Sequence, residues 1–282
     1  VAEEGRYFAA WIYEGGPASL AGLLRGEEIL AIDGVAPARS IRLDWRSDDA
    51  ALPDLPLHAL LCTAGELVEF VVAGAAQGRR TLSIRALEYC GADATRSSAR
   101  ILEVGELRFG YVHFWFMSSS TPSTFLRELV DGHFAACDAL LLDLRGRGGF
   151  PTEVDRVLRV LDAERNGWSK PVVALIDAGT RSAKEVLAWR LRSSERALLV
   201  GEATAGAVLP ASFAPVGDGA VLMYPAATLG AMSARLESRG VLPDVPVESP
   251  LTPAQGGRGD DPIFSAAIVA ARVWCEARAE IH

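Results

Sequence analysis

The sequence predicts an α/β protein in two parts, a small β-rich domain over residues 1–88 and a larger domain of βαβ units over residues 99–282. Short strand-like runs separated by glycine turns fill the first part, whereas buried β-branched runs alternate with helical patterns in the second. Strands that alternate with helices are typical of parallel sheets with right-handed crossovers. The 282 residues, 50% of them hydrophobic, are enough for two ordinary cores.

Composition excludes several classes of function. The formal net charge is −8, so we expect no nucleic-acid partner bound through a basic face. No run of apolar residues is long enough for a transmembrane helix. The 4 cysteines and 4 histidines are scattered without zinc-site spacing, so we expect no metal and no cofactor. The chain begins at Val1 with neither an initiator Met nor a signal peptide, which suggests that an upstream segment has been removed.

In the first part, short alternating runs bounded by glycine turns predict strands. They cover Arg6–Tyr13, Glu28–Ile32, Leu67–Val72 and Arg80–Leu87. Between them we expect a turn and short helix over Gly16–Leu24 and a helix over Leu57–Thr63. Residues 42–56, which carry charges and prolines, predict a loop insertion, and residues 89–98 predict a linker to the second part.

In the second part, strands are predicted over Leu107–Trp115, Ala139–Leu144, Pro171–Ile176, Arg196–Val200 and Ala220–Tyr224. Helices are predicted over Pro122–Leu129, Glu153–Ala163, Ala183–Ser193 and, closing the chain, Ile263–Ile281. An extended piece covers Val241–Pro246.

Ser182 lies where a predicted buried strand is followed by a predicted helix. The apolar run Pro171–Ile176 is followed by a turn at Gly179 and then by a helical pattern. Amides at a helix N-terminus are unpaired, and the local dipole favours developing negative charge. Such a serine is a candidate nucleophile with oxyanion donors beside it. The alternative is an ordinary helix N-cap, a position at which serine is preferred.

The run Gly16–Gly34 (G-P-A-S-L-A-G-L-L-R-G-E-E-I-L-A-I-D-G) resembles the PDZ pattern. Four further blocks, in order, resemble the C-terminal processing, or tail-specific, serine peptidases: Gly110–Phe116, Leu142–Phe150, Gly179–Glu185 with Arg196–Gly206, and Glu237–Asp244. The resemblance implies a PDZ-like domain followed by a ClpP/crotonase-like core. It also implies a peptide or protein substrate, which a PDZ domain takes up as an added strand.

Carried over by this resemblance, Ser182 is the nucleophile of the S-A-x-E motif. The amide of Ala183 and the amide of Gly149 or Phe150 are the oxyanion donors. The branch of the family with a serine–lysine dyad has a lysine where this chain has Ala207. The tricorn-like branch instead uses a glutamate, matched by Glu237, together with a histidine.

The general base is the open question. In the tricorn-like branch the histidine precedes the PDZ module, so we expect it upstream of Val1. His113 is the one histidine inside a family block, and it is either a cleft-lining or a core residue. Lys184 lies two positions after Ser182, which on a helix points away from it, so we expect a solvated charge.

Three functions fit these observations to different degrees. The favoured one is a serine peptidase that cleaves peptides or protein C-terminal tails through an acyl-enzyme at Ser182. The alternative is an inactive relative that serves as a peptide-binding or scaffold module. An acyl-CoA enzyme of the crotonase type is disfavoured, because the PDZ run and the S-A-x-E block belong to the peptidases. The resemblance leaves room for a homo-oligomer and for an exported or periplasmic location.

Overall fold

A computed structural model describes residues 1–46, 57–74, 77–117, 121–146, 148–250 and 260–279. It confirms a mixed α/β architecture, with small antiparallel sheets in the first part and a largely parallel sheet in the second. No helix within these residues is long and apolar enough to cross a membrane.

The first part is β-rich. Its elements are β1 (Ala2–Glu3), β2 (Arg6–Tyr7), α1 (Pro17–Leu20), β3 (Glu28–Ile32), β4 (Leu43–Arg46), β5 (Leu57–Leu60), β6 (Leu67–Gly74) and β7 (Gly78–Arg85). Strands β3, β6 and β7 form an antiparallel sheet in that order. Its apolar side chains close a small core around Ile32, Val68 and Val72. The predicted strand Arg6–Tyr13 is shortened to β2, which pairs with β1, and Phe8 adds an isolated antiparallel bridge to Glu28.

The predicted helix over Leu57–Thr63 is wrong. Residues Leu57–Leu60 form β5, which pairs antiparallel with β4, so that Leu43 lies opposite Leu60. A run of four mostly apolar residues fits both the helical and the strand period, and the pairing partner decides between them. That partner lay inside the predicted loop insertion over residues 42–56, of which residues 47–56 fall outside the described part.

The predicted linker over residues 89–98 is also wrong, because Gly91–Ser98 forms α2. Ala94, Thr95 and Ser98 are buried in this helix, and the Ser98 hydroxyl accepts a hydrogen bond from the N–H of His113 at 2.8 Å. Small and polar residues give a helix almost no apolar periodicity, so tertiary packing determines it here.

The second part is organised on a six-stranded sheet. Its strands are β8 (Arg100–Val104), β9 (Leu107–His113), β10 (Ala139–Asp143), β11 (Val172–Ile176), β12 (Leu198–Gly201) and β15 (Val245–Pro246). The order is β15-β12-β11-β10-β9-β8, and only β8 runs antiparallel to its neighbour. Four of the predicted strands are therefore confirmed as β9, β10, β11 and β12, whereas β8 was not predicted.

Helices cover both faces of this sheet. They are α3 (Thr121–Glu128), α4 (Pro151–Val160), α5 (Ala183–Ser193), α6 (Ala231–Leu236) and α7 (Pro262–Ala279). Helices α4 and α5 belong to the larger hydrophobic cluster on one face, with Leu142 and Ala174 of the sheet. Helix α7 packs on the other face against Leu141 and Val173. The carboxyl ends of β9 to β12 therefore meet at one edge, where ligands bind in open α/β sheets.

A hairpin stands apart from the main sheet. Its strands are β13 (Ala211–Gly217) and β14 (Ala220–Pro225), which pair only with each other. The predicted strand Ala220–Tyr224 is confirmed as β14, but β13 was not predicted. The hairpin follows directly on a turn over residues 202–210 that contacts the start of α5.

Candidate active site

Ser182 occupies the turn between β11 and α5 with an unusual backbone, φ 55° and ψ −127°. A positive φ in this region is essentially restricted to glycine and costs a side-chain-bearing residue about 1–3 kcal/mol. Such strain persists only where surrounding contacts enforce it. It turns the serine out of the strand at the first amides of the helix.

Glu185 enforces that backbone. Its fully buried carboxylate accepts a hydrogen bond from the Ser182 N–H at 3.1 Å. It also accepts from Thr204 Oγ1 and from the N–H groups of Gly206 (2.7 Å) and Ala207 (2.9 Å). The carbonyl of Ala207 in turn accepts from the Ser182 N–H at 3.0 Å. Glu185 therefore ties the turn after β12 to the serine. Sequence reasoning assigned it no role, although a glutamate three residues after a serine is typical of a capping box.

Gly148, in the glycine-rich loop after β10, lies against Ser182. A Cβ placed on Gly148 would be 2.8 Å from the Ser182 Cβ, and one on Gly149 would be 2.3 Å from the Met117 Cβ. No side chain fits at such distances, so both positions require glycine. Gly148 and Gly149 therefore pack between the turn at Ser182 and the segment that follows β9.

Two of the three predicted oxyanion donors are available. Within the described residues, the N–H groups of Ala183 and Gly149 have no hydrogen-bond acceptor. The third, the N–H of Phe150, donates to the Met117 carbonyl at 2.7 Å. Phe150 is therefore engaged in holding the loop, and its side chain is 58% exposed. Of the two amides between which the sequence left the choice open, only that of Phe150 has an acceptor among the described residues.

Glu237 lies beside the same turn. Its Oε2 atom accepts hydrogen bonds from the N–H groups of Val208 (2.9 Å) and Leu209 (3.1 Å). Those amides directly follow Ala207, the residue whose carbonyl is bonded to Ser182. None of the described contacts of Glu237 is with Ser182 itself, so the carboxylate acts on the turn that supports the serine.

His113 lies at the carboxyl end of β9 and is 6% exposed. Its Nδ1 is 3.5 Å from a carboxylate oxygen of Glu14, a residue of the first part, and its Nε2 is 3.3 Å from the Arg145 carbonyl. The ring also stacks on Trp115, with centroids 4.1 Å apart. His113 lines a cavity of about 530 Å³ between the two parts, whose lining does not include Ser182. These contacts agree with a core or rim position of His113 and not with the position of a general base beside Ser182.

The prediction that Lys184 is a solvated charge is wrong. The residue is fully buried, and its Nζ donates to the carbonyls of Arg145 (2.9 Å) and Trp115 (3.3 Å). Burial lowers the pKa of Lys184 to about 7, although the negative charges of Asp143 and Asp177 oppose this shift. The side chain is therefore directed into the protein rather than into water.

Residues 151–247 match the family model described as peptidase family S41. This part of the chain is a peptidase family S41 domain. It contains Ser182, Glu185 and Glu237. The chain is 28% identical over 271 residues to the chloroplastic C-terminal processing peptidase of Tetradesmus obliquus, and the match covers 85% of this chain. The predicted similarity to C-terminal processing peptidases is thus confirmed, whereas the PDZ-like domain and the tricorn-like branch stay predictions. The chain spans only 56% of that relative's length.

Solved structures show the same fold as this chain. The photosystem II D1 C-terminal processing protease matches with a TM-score of 0.50 and 22% identity, over 93% of this chain and 74% of that one. The tricorn protease matches with a TM-score of 0.51 and 18% identity, over 96% of this chain and 28% of that one. Because the two scores are nearly equal, the fold alone does not assign the chain to either branch of the family.

Proposed function

We propose that this chain carries the catalytic unit of a serine peptidase that cleaves peptides or protein C-terminal tails through an acyl-enzyme at Ser182. The observation that supports it best is the strained Ser182 backbone. Gly148 lies against it, and the N–H groups of the adjacent residues Ala183 and Gly149 have no acceptor among the described residues. Strain of this kind is retained at functional sites, where it presents a side chain that an unstrained turn would not.

The proposed chemistry has two halves. The Ser182 hydroxyl attacks the scissile carbonyl and gives its proton to a general base, while the Ala183 and Gly149 N–H groups bind the oxyanion. The C–N bond then breaks, and the leaving amine takes up the proton. Water attacks the ester in the same way and releases the acid, which restores the serine.

We further propose that the base is a histidine that lies outside residues 1–282. Ala207 stands where the dyad branch has its lysine. Lys184 is bonded to two main-chain carbonyls, and His113 faces Glu14 and Arg145. Glu237 has the supporting role in this scheme, since it fixes the amides of the turn next to Ser182. A general base contributes about 10²–10⁴-fold to the rate.

The first part is proposed as the PDZ-like, peptide-capturing module. A largely apolar cavity of about 650 Å³ opens over it, lined among others by Ala9, Leu23, Ile29 and Phe70. A peptide that lies there as an extended strand would be delivered toward the second part, because Trp11 and Trp115 line the same cavity.

The test uses the protein expressed from its complete reading frame, a fluorophosphonate probe and an unstructured peptide substrate. We expect labelling and hydrolysis that Ser182→Ala abolishes. The matched control is Ser194→Ala at the opposite end of α5, where the hydroxyl donates to the Arg190 carbonyl. It should leave both signals intact. Labelling that survives Ser182→Ala refutes the proposed nucleophile.

The inactive alternative predicts a different set of results. It draws support from the described contacts of Ser182, in which the one carboxylate, that of Glu185, binds the N–H and no side chain accepts from the hydroxyl. A complete protein that binds the peptide but shows neither labelling nor hydrolysis establishes the binding or scaffold function. Full activity of the 282-residue chain alone refutes the outside histidine and directs attention to His113.

A further inference from the structure

Lysine is rare in this protein. Of 28 lysine and arginine residues, only Lys170 and Lys184 are lysines. One of the two stands directly behind the nucleophile turn, where it is fully buried. The compact ammonium of lysine can fit between main-chain carbonyls that the broad, planar guanidinium of arginine would push apart. The choice of lysine at position 184 therefore has a local physical reason.

The two acceptors of Lys184 Nζ belong to the two segments that build the oxyanion loop. The Arg145 carbonyl, 2.9 Å away, begins the loop over residues 146–150. The Trp115 carbonyl, 3.3 Å away, begins the segment that leads to Met117. These segments are then joined by two hydrogen bonds, from Met117 N–H to Gly148 O and from Phe150 N–H to Met117 O. Lys184 thus links both segments to the helix that begins at Ser182.

We propose that Lys184 is a positioning residue that fixes the loop over residues 146–150, and with it the Gly149 amide, at a set distance from Ser182. Its effect on catalysis rests on the peptidase function proposed above. Its effect on the loop does not. Without the Nζ atom, the Trp115 carbonyl loses this donor, and among the described residues the Arg145 carbonyl retains the His113 contact at 3.3 Å.

The surrounding charges suit this role. The groups that face Lys184 are the carboxylates of Asp143 and Asp177 and the guanidinium of Arg145. Asp143 and Arg145 already bind each other, and Asp177 accepts from the Gly146 N–H at 3.0 Å. Lys184 therefore directs its protons at carbonyls rather than at a carboxylate. A neutral amine still has two N–H protons, so both protonation states can serve both acceptors.

Hydrogen exchange tests the proposal without reference to any reaction. Lys184→Met keeps a long side chain but removes the donor. Lys170→Met is the matched control, because Lys170 also donates to two main-chain carbonyls, those of Ala135 (2.8 Å) and Cys137 (2.6 Å), at the other end of the sheet. We expect exchange of amides 146–150 to accelerate about tenfold or more in Lys184→Met only. Unchanged exchange there overturns the proposal.

The rate of fluorophosphonate labelling at Ser182 tests the catalytic consequence. Loss of one oxyanion donor costs about 10²–10³-fold, so a displaced Gly149 amide should slow labelling by about tenfold or more. Lys170→Met should label like the wild type. Equal labelling of wild type and Lys184→Met overturns the catalytic role. If the complete wild-type protein does not label, the peptidase function fails, and hydrogen exchange still decides the positioning role.

A folding failure of Lys184→Met is covered by a second variant. Lys184→Gln keeps an NH₂ donor on a shorter stem and should show a smaller acceleration of the same amides. A folded Lys184→Gln with wild-type exchange over residues 146–150 also overturns the proposal.

Discussion

The carboxylate of Glu185 accepts a hydrogen bond from the N–H of Ser182 at 3.1 Å while it holds three further donors of the turn after β12. Glu185 thus fixes the backbone of Ser182, which lies three positions before it in the chain. The strained turn therefore depends on the buried side chain of Glu185.

Glu185→Gln should lower the free energy of unfolding by about 3 kcal/mol, since hydrogen bonds to a charged acceptor are worth about 1.5–3 kcal/mol each and an amide NH₂ would face donors. Labelling at Ser182 should fall as well. Urea denaturation measures the first effect, with the exposed Glu128→Gln on α3 as control. Equal stability of the two variants would show that the four bonds contribute little.

Replacement of Ser182 separates strain from chemistry. Ser182→Ala and Ser182→Gly should both lose labelling, but the glycine variant should be more stable than the alanine variant by about 1 kcal/mol, because glycine adopts a positive φ without steric cost. Thermal or urea unfolding of the matched pair measures the difference. A less stable glycine variant would argue against strain at φ 55°.

Gly148→Ala should push the loop away from the nucleophile turn. Its Cβ would be 2.7 Å from the Arg181 carbonyl oxygen and 2.8 Å from the Ser182 Cβ. We expect a loss of about 1–3 kcal/mol in stability, as for other overpacked sites, and slower labelling. Gly132→Ala is the control, because no atom lies within 4 Å of its Cβ. A Gly148→Ala protein that labels like Gly132→Ala would contradict the close contact.

The titration of Lys184 can be followed directly. With only two lysines, ¹⁵N-lysine labelling yields two Nζ signals, and Lys170→Met assigns them. We expect a midpoint near pH 7 for Lys184, whose pKa burial lowers to about 7. A midpoint at the ordinary value of 10.5 would contradict its burial.

The same shift predicts how stability depends on pH. Because the folded pKa is lowered, the unfolded chain binds more protons between pH 7 and 10.5, so the free energy of unfolding rises with pH in that window. Below about pH 7 the full penalty of burying the charge applies. Relative to Lys184→Met, the wild type should gain up to about 1.4 kcal/mol per pH unit across the window. Parallel curves for the two proteins would refute this.

The turn that holds Ser182 could be predicted from the sequence. The run Pro171–Ile176 is apolar and β-branched throughout, as a strand buried on both faces requires, and the structure places β11 in the sheet interior. The glycine turn and the helical pattern after it fixed the start of α5. These signals are local, so one sequence is sufficient to find them.

The features that could not be predicted from the sequence depend on residues far away in the chain. Strand β5 exists because β4 pairs with it, and α2 forms because β9 covers its small residues. Lys184 is buried because the main-chain carbonyls of Trp115 and Arg145 accept its hydrogen bonds. The helical periodicity of a sequence does not reveal such partners. The engagement of the Phe150 amide depends on Met117, which lies far earlier in the chain.

Because lysine is scarce in this chain, cleavage by a lysine-specific endopeptidase can report how often the first turn of α5 opens. A lysine-specific endopeptidase has two target bonds here, and the one after Lys170 joins it to Pro171, a bond that such enzymes cut poorly. Lys184–Glu185 remains as the one good cleavage position, and it is fully buried. The rate of a single cut, read on a gel, therefore follows how often the nucleophile helix detaches from the native protein.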